Sequence, residues 1–323
     1  LKSKKMLVWS GTARGFLYTT ISNVYKTFFA HKVSFLTFAP DLKINFTNSY
    51  SDIPNKFITT ADGVQIAYRD YGNPNGDTLL LFVHLAAYLD NWRPELLDLL
   101  AKKYRIITFD YRGVGLSEGE QPLSIAQMAK DTLLFIDALQ LDKVHLLGFS
   151  MGGFVVQELI PLAPERFEKV VLAGTGLRGG KDIDRITPIA DKHTLKAILT
   201  FKDPKYYMFF NQNESGKRKA NEFLKSLKQR KENRDKPISW KSYRRQLKAI
   251  TLWGKAPQAD LSAIKQPTLV VNGDNDVMVR TEHSYTLAKN IPNSKLIIYP
   301  DAGHGAAFQE YTSFANEVLN FLK

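Results

Sequence analysis

Cysteine is absent from this chain of 323 residues. Its absence excludes disulfide bridges, a thiol nucleophile and any metal site that needs a cysteine ligand. Long apolar runs are missing as well, because no stretch approaches the length of about 20 apolar residues needed to cross a bilayer. The sequence therefore predicts a soluble chain without a transmembrane segment. We expect a cytoplasmic location, with organelle targeting by the N-terminal segment as the alternative.

Acidic residues are scarce in two segments, which carry the basic character of the chain. Residues 1–40 contain six Lys and Arg and no Asp or Glu, and residues 178–250 contain 20 basic residues against 8 acidic ones. Residues 1–50 are interpreted as a basic N-terminal extension, either a leader or a non-native segment. Contact of residues 1–40 with an anionic membrane surface is left open. Signatures of nucleic-acid-binding modules are absent from the sequence, so we expect no nucleic-acid partner.

From residue 57 onward, short apolar runs typical of buried strands alternate with segments of helical period. The expected strands after an initial hairpin are residues 78–84, 104–110, 143–149, 168–174, 267–273 and 295–300, with helices between them. This alternation predicts an α/β fold with a mostly parallel, doubly wound sheet. The core is expected to comprise residues 51–177 and 251–323. The basic, mostly helical residues 178–250 between them are interpreted as an inserted cap.

The stretch "GFSMG", residues 148–152, places a serine between a predicted strand and a predicted helix. Glycines two residues to either side fit a turn too tight for side chains at those positions. A serine hydroxyl at such a turn becomes a nucleophile when a base removes its proton. The pattern therefore predicts that Ser150 is exposed for chemistry at the carboxyl edge of the sheet.

Histidine and aspartate follow other predicted strands, where they can meet this serine. His304 lies in "PDAGHG" after the last strand, whereas His84 ends the 78–84 strand and is expected to order the next loop. "VVNGDNDVMV" offers two acids directly after a strand, and Asp276 is preferred over Asp274 as the partner of the histidine. Along the chain the serine comes first, the aspartate second and the histidine third. This order fits a nucleophilic serine at a strand-to-helix turn of an α/β sheet.

Four motifs together resemble the α/β-hydrolase superfamily over residues 57–323, in its serine esterase and cofactor-free haloperoxidase-like branch. They are the turn "GFSMGG", the loop "FDYRGVGLS" at residues 109–117, the acid turn "GDND" and the histidine loop "AGHG". The resemblance implies the α/β-hydrolase fold with an inserted helical cap. It also implies chemistry that uses neither a cofactor nor a metal.

The resemblance assigns a role to each candidate site residue. Ser150 is implied as the nucleophile, His304 as the general base and then acid, and Asp276 as the residue that orients the histidine, with Asp274 as the fallback. The backbone N–H of Met151 is implied as half of an oxyanion hole. The second donor aligns with the Ala86 N–H in "HLAA", where many relatives carry H-G-x-P.

The function expected from these residues is a serine hydrolase that acts through an acyl-enzyme on a small carboxylic ester or lactone. Two alternatives stay open: a ligand receptor or signalling protein of this superfamily, and a C–C bond hydrolase or perhydrolase with the same triad. "YYMFF", residues 206–210, forms either the core of the cap or the roof of an acyl pocket, and Trp92 carries the same ambiguity. The basic face of the cap is interpreted as a solvated helical face, with attraction of an anionic partner as the alternative.

Overall fold

A computed structural model describes residues 49–323, so the predicted N-terminal extension, with its targeting and membrane-contact alternatives, lies almost entirely outside the described residues. The core of the described part is an eight-stranded sheet in the order β1-β2-β4-β3-β5-β6-β7-β8. Strands β1 and β2 pair antiparallel, as do β2 and β4, and the other neighbouring pairs are parallel. The strands are β1 Lys56–Thr59, β2 Gln65–Gly72, β3 Thr78–Phe82, β4 Arg105–Phe109, β5 Val144–Phe149, β6 Phe167–Ala173, β7 Thr268–Gly273 and β8 Ser294–Tyr299.

Ten α-helices accompany the sheet within residues 49–323, and their boundaries follow local signals. Helix α1 begins at a proline, and α2 begins after Ser124, whose side chain accepts the N–H of Gln127. The helices are α1 Pro94–Ala101, α2 Ile125–Ala138, α3 Met151–Leu159, α4 Ile186–Leu199, α5 Pro204–Met208, α6 Glu214–Ser226, α7 Trp240–Lys255, α8 Glu282–Asn290, α9 Ala306–Gln309 and α10 Tyr311–Leu322. The predicted α/β architecture is confirmed.

The central strands are buried on both faces, which explains their continuous apolar sequences. Every residue of β5 and β7 is buried, and so are the last four residues of β3. Because β3, β5, β6 and β7 run parallel, their carboxyl ends open at one edge of the sheet. Strand β8 runs parallel to β7, and the segments that follow these five strands contain every residue considered above as a candidate for chemistry.

Helices α4 to α7 lie between β6 and β7, in the stretch interpreted as the cap. We use the name cap segment for residues 178–250, the range given by the sequence analysis, although α7 continues five residues further, to Lys255. Ala220 and Phe223, three residues apart on α6, are both buried and belong to the apolar face of that helix. None of the helices in the described part of the chain combines the length and the apolar character needed to span a membrane.

Candidate active site

Ser150 occupies a strained turn between β5 and α3. Its φ of 55° and ψ of −120° lie in a region that residues with a side chain rarely adopt. Its own N–H donates to the Ala173 carbonyl at 2.9 Å, and its carbonyl accepts the N–H of Gly153 and the hydroxyl of Thr175. A Cβ atom added to Gly152 would collide with the carbonyl of Phe82. The neighbouring strands and glycines therefore hold the serine in its strained conformation.

His304 bridges Ser150 and Asp276. Its Nε2 lies 2.9 Å from Ser150 Oγ, and its Nδ1 lies 2.7 Å from Asp276 Oδ2. A carboxylate only accepts hydrogen bonds, so Nδ1 carries the proton and the lone pair of Nε2 faces the serine hydroxyl. In this tautomer the imidazole is placed to take a proton from the alcohol.

Of the two candidate aspartates, the structure brings Asp276 and not Asp274 to the histidine. The second oxygen of Asp276 accepts the backbone N–H groups of Met278 and Val279, at 2.8 and 2.9 Å. Asp274 is exposed, and its Oδ1 accepts the N–H of Ala302 in the loop that carries His304. Asp274 therefore braces the histidine loop, while Asp276 contacts the imidazole.

The two candidate oxyanion-hole donors differ in their surroundings. Met151 is the first residue of α3, where a backbone N–H has no acceptor within its own helix. Ala86 has a positive φ of 64°, and its N–H donates to the side-chain oxygen of Gln246 at 2.9 Å. Gln246 lies on α7 in the cap segment and is fully buried, and its amide nitrogen donates to Gln121. The Ala86 donor is thus occupied by a side chain of the cap segment.

Aromatic rings surround the imidazole of His304. Phe149 and Phe209 lie 5.2 and 5.4 Å from its centre, and the Phe209 carbonyl accepts the N–H of Gly305. The buried ring of His84 lies 4.9 Å from Phe209 and donates through Nδ1 to the Leu85 carbonyl. Burial, with a smaller contribution from nearby Lys205, lowers the pKa of His84 to about 3, so this ring is neutral at physiological pH.

The "YYMFF" segment packs in two directions. Phe209 lies against the histidine loop, whereas Phe210 contacts Phe223 on α6 within the cap segment. Trp92 is buried against Phe308, 6.0 Å from it, and Phe308 in turn contacts Phe149. The apolar wall beside the triad therefore draws on both the core and the cap segment.

A buried pair of carboxyl groups, which the sequence reasoning did not identify, links the loop after β4 to the cap segment. Asp110 and Asp235 both accept the N–H of Leu89, at 2.9 and 3.1 Å. Burial raises the pKa of both groups, and their mutual proximity raises that of Asp110 further. Asp110 belongs to the "FDYRGVGLS" motif, and this motif could have identified it as a functional candidate from the sequence. Asp235 lies in a basic stretch without any motif, so no sequence pattern identifies it.

A second buried polar cluster fixes the loop that carries Ala86. Asp90 in this loop pairs with Arg69 of β2, and both side chains are 1% exposed. The other oxygen of Asp90 accepts the N–H of Asp235, and Arg230 and Arg234 each place their Nε atom 3.6 Å from the carboxylate. The loop after β3 is therefore bonded to both the sheet and the cap segment.

The chain belongs to the α/β-hydrolase fold family, whose model matches residues 77–311. It is similar to the solved structure of an α/β-hydrolase fold protein from Chitinophaga pinensis, with 34% identity and a TM-score of 0.81. That similarity covers 85% of this chain and 99% of the other. Two curated proteins are each 27% identical to it. One is a putative carbamate hydrolase, RutD, from Rhizobium rhizogenes, with 77% of this chain and 94% of the relative covered. The other is a putative non-heme bromoperoxidase, BpoC, from Mycobacterium tuberculosis, with 80% and 97% covered. The comparisons support a hydrolase.

The described residues were also compared with the requirements of a metal site. Within residues 49–323, no three His, Asp or Glu side chains lie close enough together to hold a metal ion.

Proposed function

We propose that this protein is a serine hydrolase that transfers the acyl group of a small carboxylic ester or lactone to Ser150 and then to water. The observation that carries the proposal is the pair of hydrogen bonds of 2.9 and 2.7 Å that join Ser150, His304 and Asp276 at a strained turn. Alcohol, imidazole and carboxylate in this order let the imidazole deprotonate the alcohol.

The proton transfers in this reaction use these side chains and water. His304 Nε2 removes the hydroxyl proton of Ser150 while Oγ forms a bond to the carbonyl carbon of the substrate. The tetrahedral intermediate collapses, the C–O bond to the leaving group breaks, and His304 returns the proton to the leaving oxygen. In the second half, His304 takes a proton from water as the water oxygen attacks the acyl carbon. The bond between this carbon and Ser150 Oγ then breaks, the carboxylic acid leaves, and the proton returns from His304 to Oγ. Asp276 accepts a hydrogen bond from Nδ1 of His304 and stabilises the imidazolium.

Two backbone N–H groups are assigned to the oxygen that becomes negatively charged. Met151 donates from the start of α3, where the helix dipole adds positive potential. Ala86 donates from the loop after β3. Because its N–H is bonded to Gln246 in the structure, the substrate oxygen must replace the Gln246 oxygen at that donor. Binding of the carbonyl is therefore coupled to a movement of the Gln246 side chain.

The groups beside the triad favour an apolar acyl group. Phe149 and Phe209 lie against the His304 ring, and His84 is neutral because its pKa is about 3. A charged acyl group placed against these rings would lose hydration without gaining a partner. The proposed substrates are therefore small esters or lactones with uncharged acyl chains.

The test compares the wild type with Ser150→Ala on nitrophenyl acetate and butyrate and on a panel of lactones. We expect a burst of nitrophenol from the wild type, equal to the enzyme concentration, and a loss of at least about 10³-fold in Ser150→Ala. Ser284→Ala, which removes another buried serine hydroxyl, is the matched control and should keep full activity. A fluorophosphonate probe should label the wild type at Ser150.

Other outcomes would separate the alternatives. A wild type that the probe does not label would contradict the proposal. Labelling with turnover only on β-diketones, or only with peroxide as the acyl acceptor, would indicate C–C bond hydrolysis or perhydrolysis by the same triad. Negligible turnover of all substrates, together with tight binding of one of them, would indicate a receptor.

A further inference from the structure

Helix α4 of the cap segment ends with an unusual residue. The N–H of Lys202 donates to the Ala197 carbonyl at 2.9 Å, and the N–H of Phe201 donates to the Ile198 carbonyl at 3.2 Å. These two bonds define a Schellman motif, in which the residue in the position of Phe201 takes a left-handed conformation and is usually glycine. Phe201 has a φ of 54°, so a bulky side chain occupies a site where its Cβ is strained.

Packing does not explain the phenylalanine, because its ring points into solvent. Phe201 is 85% exposed and Leu199 is 71% exposed, the two highest values for large apolar side chains in the described part of the chain. Leu195 is also exposed and lies one turn before Leu199 on the same face of α4. Single exposed apolar side chains are common, but three within seven residues form a patch that points to a partner.

The charges around this patch identify the kind of partner. Residues 191–203 contain three exposed lysines, Lys192, Lys196 and Lys202, and two acids at the ends of the segment, which pair with Arg244 and Lys205. Lys196 and Lys202 extend over the rings of Tyr207 and Tyr206, with their ammonium groups 4.4 and 5.0 Å from the ring centres. An apolar tip flanked by cations is complementary to a surface with an apolar interior and an anionic boundary, which is the chemistry of an anionic lipid bilayer.

We propose that this patch, which we call the cap tip and define as Leu195, Leu199 and Phe201 with Lys192, Lys196 and Lys202, docks the protein on anionic lipid bilayers. The Phe201 and Leu199 side chains enter the boundary between headgroups and acyl chains, and the lysines remain at the lipid phosphates. In this proposal, the strained left-handed conformation of Phe201 is retained because it directs the phenyl ring away from the protein and toward the bilayer. This inference goes beyond the proposed hydrolase function and does not depend on it.

The experiment measures co-sedimentation of the full chain with phosphatidylcholine vesicles that contain about a third phosphatidylglycerol, and with pure phosphatidylcholine vesicles. We expect the wild type to bind the anionic vesicles much more tightly than the neutral ones. Phe201→Gly should weaken this binding by about tenfold or more, because the ring no longer enters the lipid. The same variant should melt at a higher temperature than the wild type, since glycine accepts the left-handed conformation without strain.

Opposite changes in binding and stability separate lipid docking from a general defect in folding. Leu199→Ser should also weaken binding, whereas Leu162→Ser, which alters an exposed leucine outside the cap segment, should leave it unchanged. A wild type that does not bind anionic vesicles would overturn the proposal. So would unchanged binding of Phe201→Gly, because the contact would then lie elsewhere in the chain. A wild-type dimer in light scattering that becomes a monomer in Phe201→Gly would assign the tip to contact between copies.

Discussion

The N–H of Ala86 donates to the side-chain oxygen of Gln246, although the two residues are separated by 160 positions in the sequence. Gln246 is fully buried, and its amide nitrogen donates to Gln121 at 3.1 Å, which fixes the orientation of the amide. The cap segment therefore places an acceptor at a backbone donor that the proposed mechanism requires. In the proposed mechanism, the Gln246 side chain and the substrate carbonyl therefore compete for the N–H of Ala86.

Gln246→Ala removes the competitor and should increase activity. A hydrogen bond of this kind contributes about 1 kcal/mol net, so we expect kcat/KM for nitrophenyl esters to rise about fivefold. Gln246→Glu should act in the opposite direction, with a loss of about 10²-fold, because a carboxylate accepts the N–H more strongly and repels the negatively charged oxygen. The rate of labelling by a fluorophosphonate should follow the same order.

Lys248→Ala is the control for these variants, since Lys248 is exposed on the same helix and should not affect the rate. A fall in activity of Gln246→Ala with an unchanged melting temperature would contradict competition. Gln246 would then support the conformation of the Ala86 loop and would not block its donor.

Asp276 and Asp274 provide a matched pair for the role of the carboxylate. Asp276→Asn should lower kcat by about 10³–10⁴-fold, because an amide at this position no longer selects the tautomer with the proton on Nδ1. Asp274→Asn keeps a side-chain oxygen for the Ala302 N–H and should stay within about threefold of the wild type. Steady-state kinetics on one ester would check both values. Equal losses in the two variants would argue against the proposed triad.

The fold could be predicted because its signals are local. Buried parallel strands have continuous apolar sequences, and each predicted strand from Thr78 to Pro300 lies within two residues of an observed one. Strand β3 ends at Phe82, so His84 lies two residues beyond the strand and forms part of the loop. The juxtaposition of Ser150, Asp276 and His304 could be predicted for a similar reason, since each follows a predicted strand and parallel strands end at one edge.

The groups contributed by the cap segment could not be found in this way. Gln246, Asp235 and Arg230 reach the core through contacts that span more than a hundred residues, and no local pattern encodes them. From the excess of Lys and Arg in this segment, the sequence analysis predicted a helical face that is exposed to solvent. Arg230 and Asp235 are nevertheless buried, because Asp90 and backbone groups of the loops provide partners for them.

The Asp110 and Asp235 pair predicts that stability depends on pH. Burial raises the pKa of both carboxyl groups, so their contribution is present below the ordinary carboxyl pKa of 3.8 and is lost as the pH rises through the raised pKa. Asp90 nearby adds negative charge, which Arg69, Arg230 and Arg234 offset. We expect the free energy of unfolding of the wild type to fall as the pH rises from 3.8 through the raised pKa values, an effect that urea titrations at each pH would measure.

Asp110→Asn should remove most of this dependence. The asparagine oxygen can still accept the Leu89 N–H, and its amide can donate to Asp235 without a proton from solvent. Relative to the wild type, we expect the variant to gain free energy of unfolding progressively as the pH rises above the ordinary carboxyl pKa of 3.8. Asp142→Asn changes an exposed carboxyl group and should leave the profile unchanged. Parallel profiles for the wild type and Asp110→Asn would show that the two carboxyl groups do not share a proton.

The strain at Ser150 predicts an unusual order of stability among inactive variants. Ser150→Ala and Ser150→Gly both remove the hydroxyl, but only glycine removes the Cβ from a backbone held at a φ of 55°. We therefore expect Ser150→Gly to have the larger free energy of unfolding, by about 1 kcal/mol, despite the greater flexibility of glycine in the unfolded chain. Ala129→Gly in the interior of α2 should show the reverse sign, with a loss of about 1 kcal/mol. If Ser150→Gly is less stable than Ser150→Ala, the turn imposes no strain, and the two glycines beside it serve only close packing.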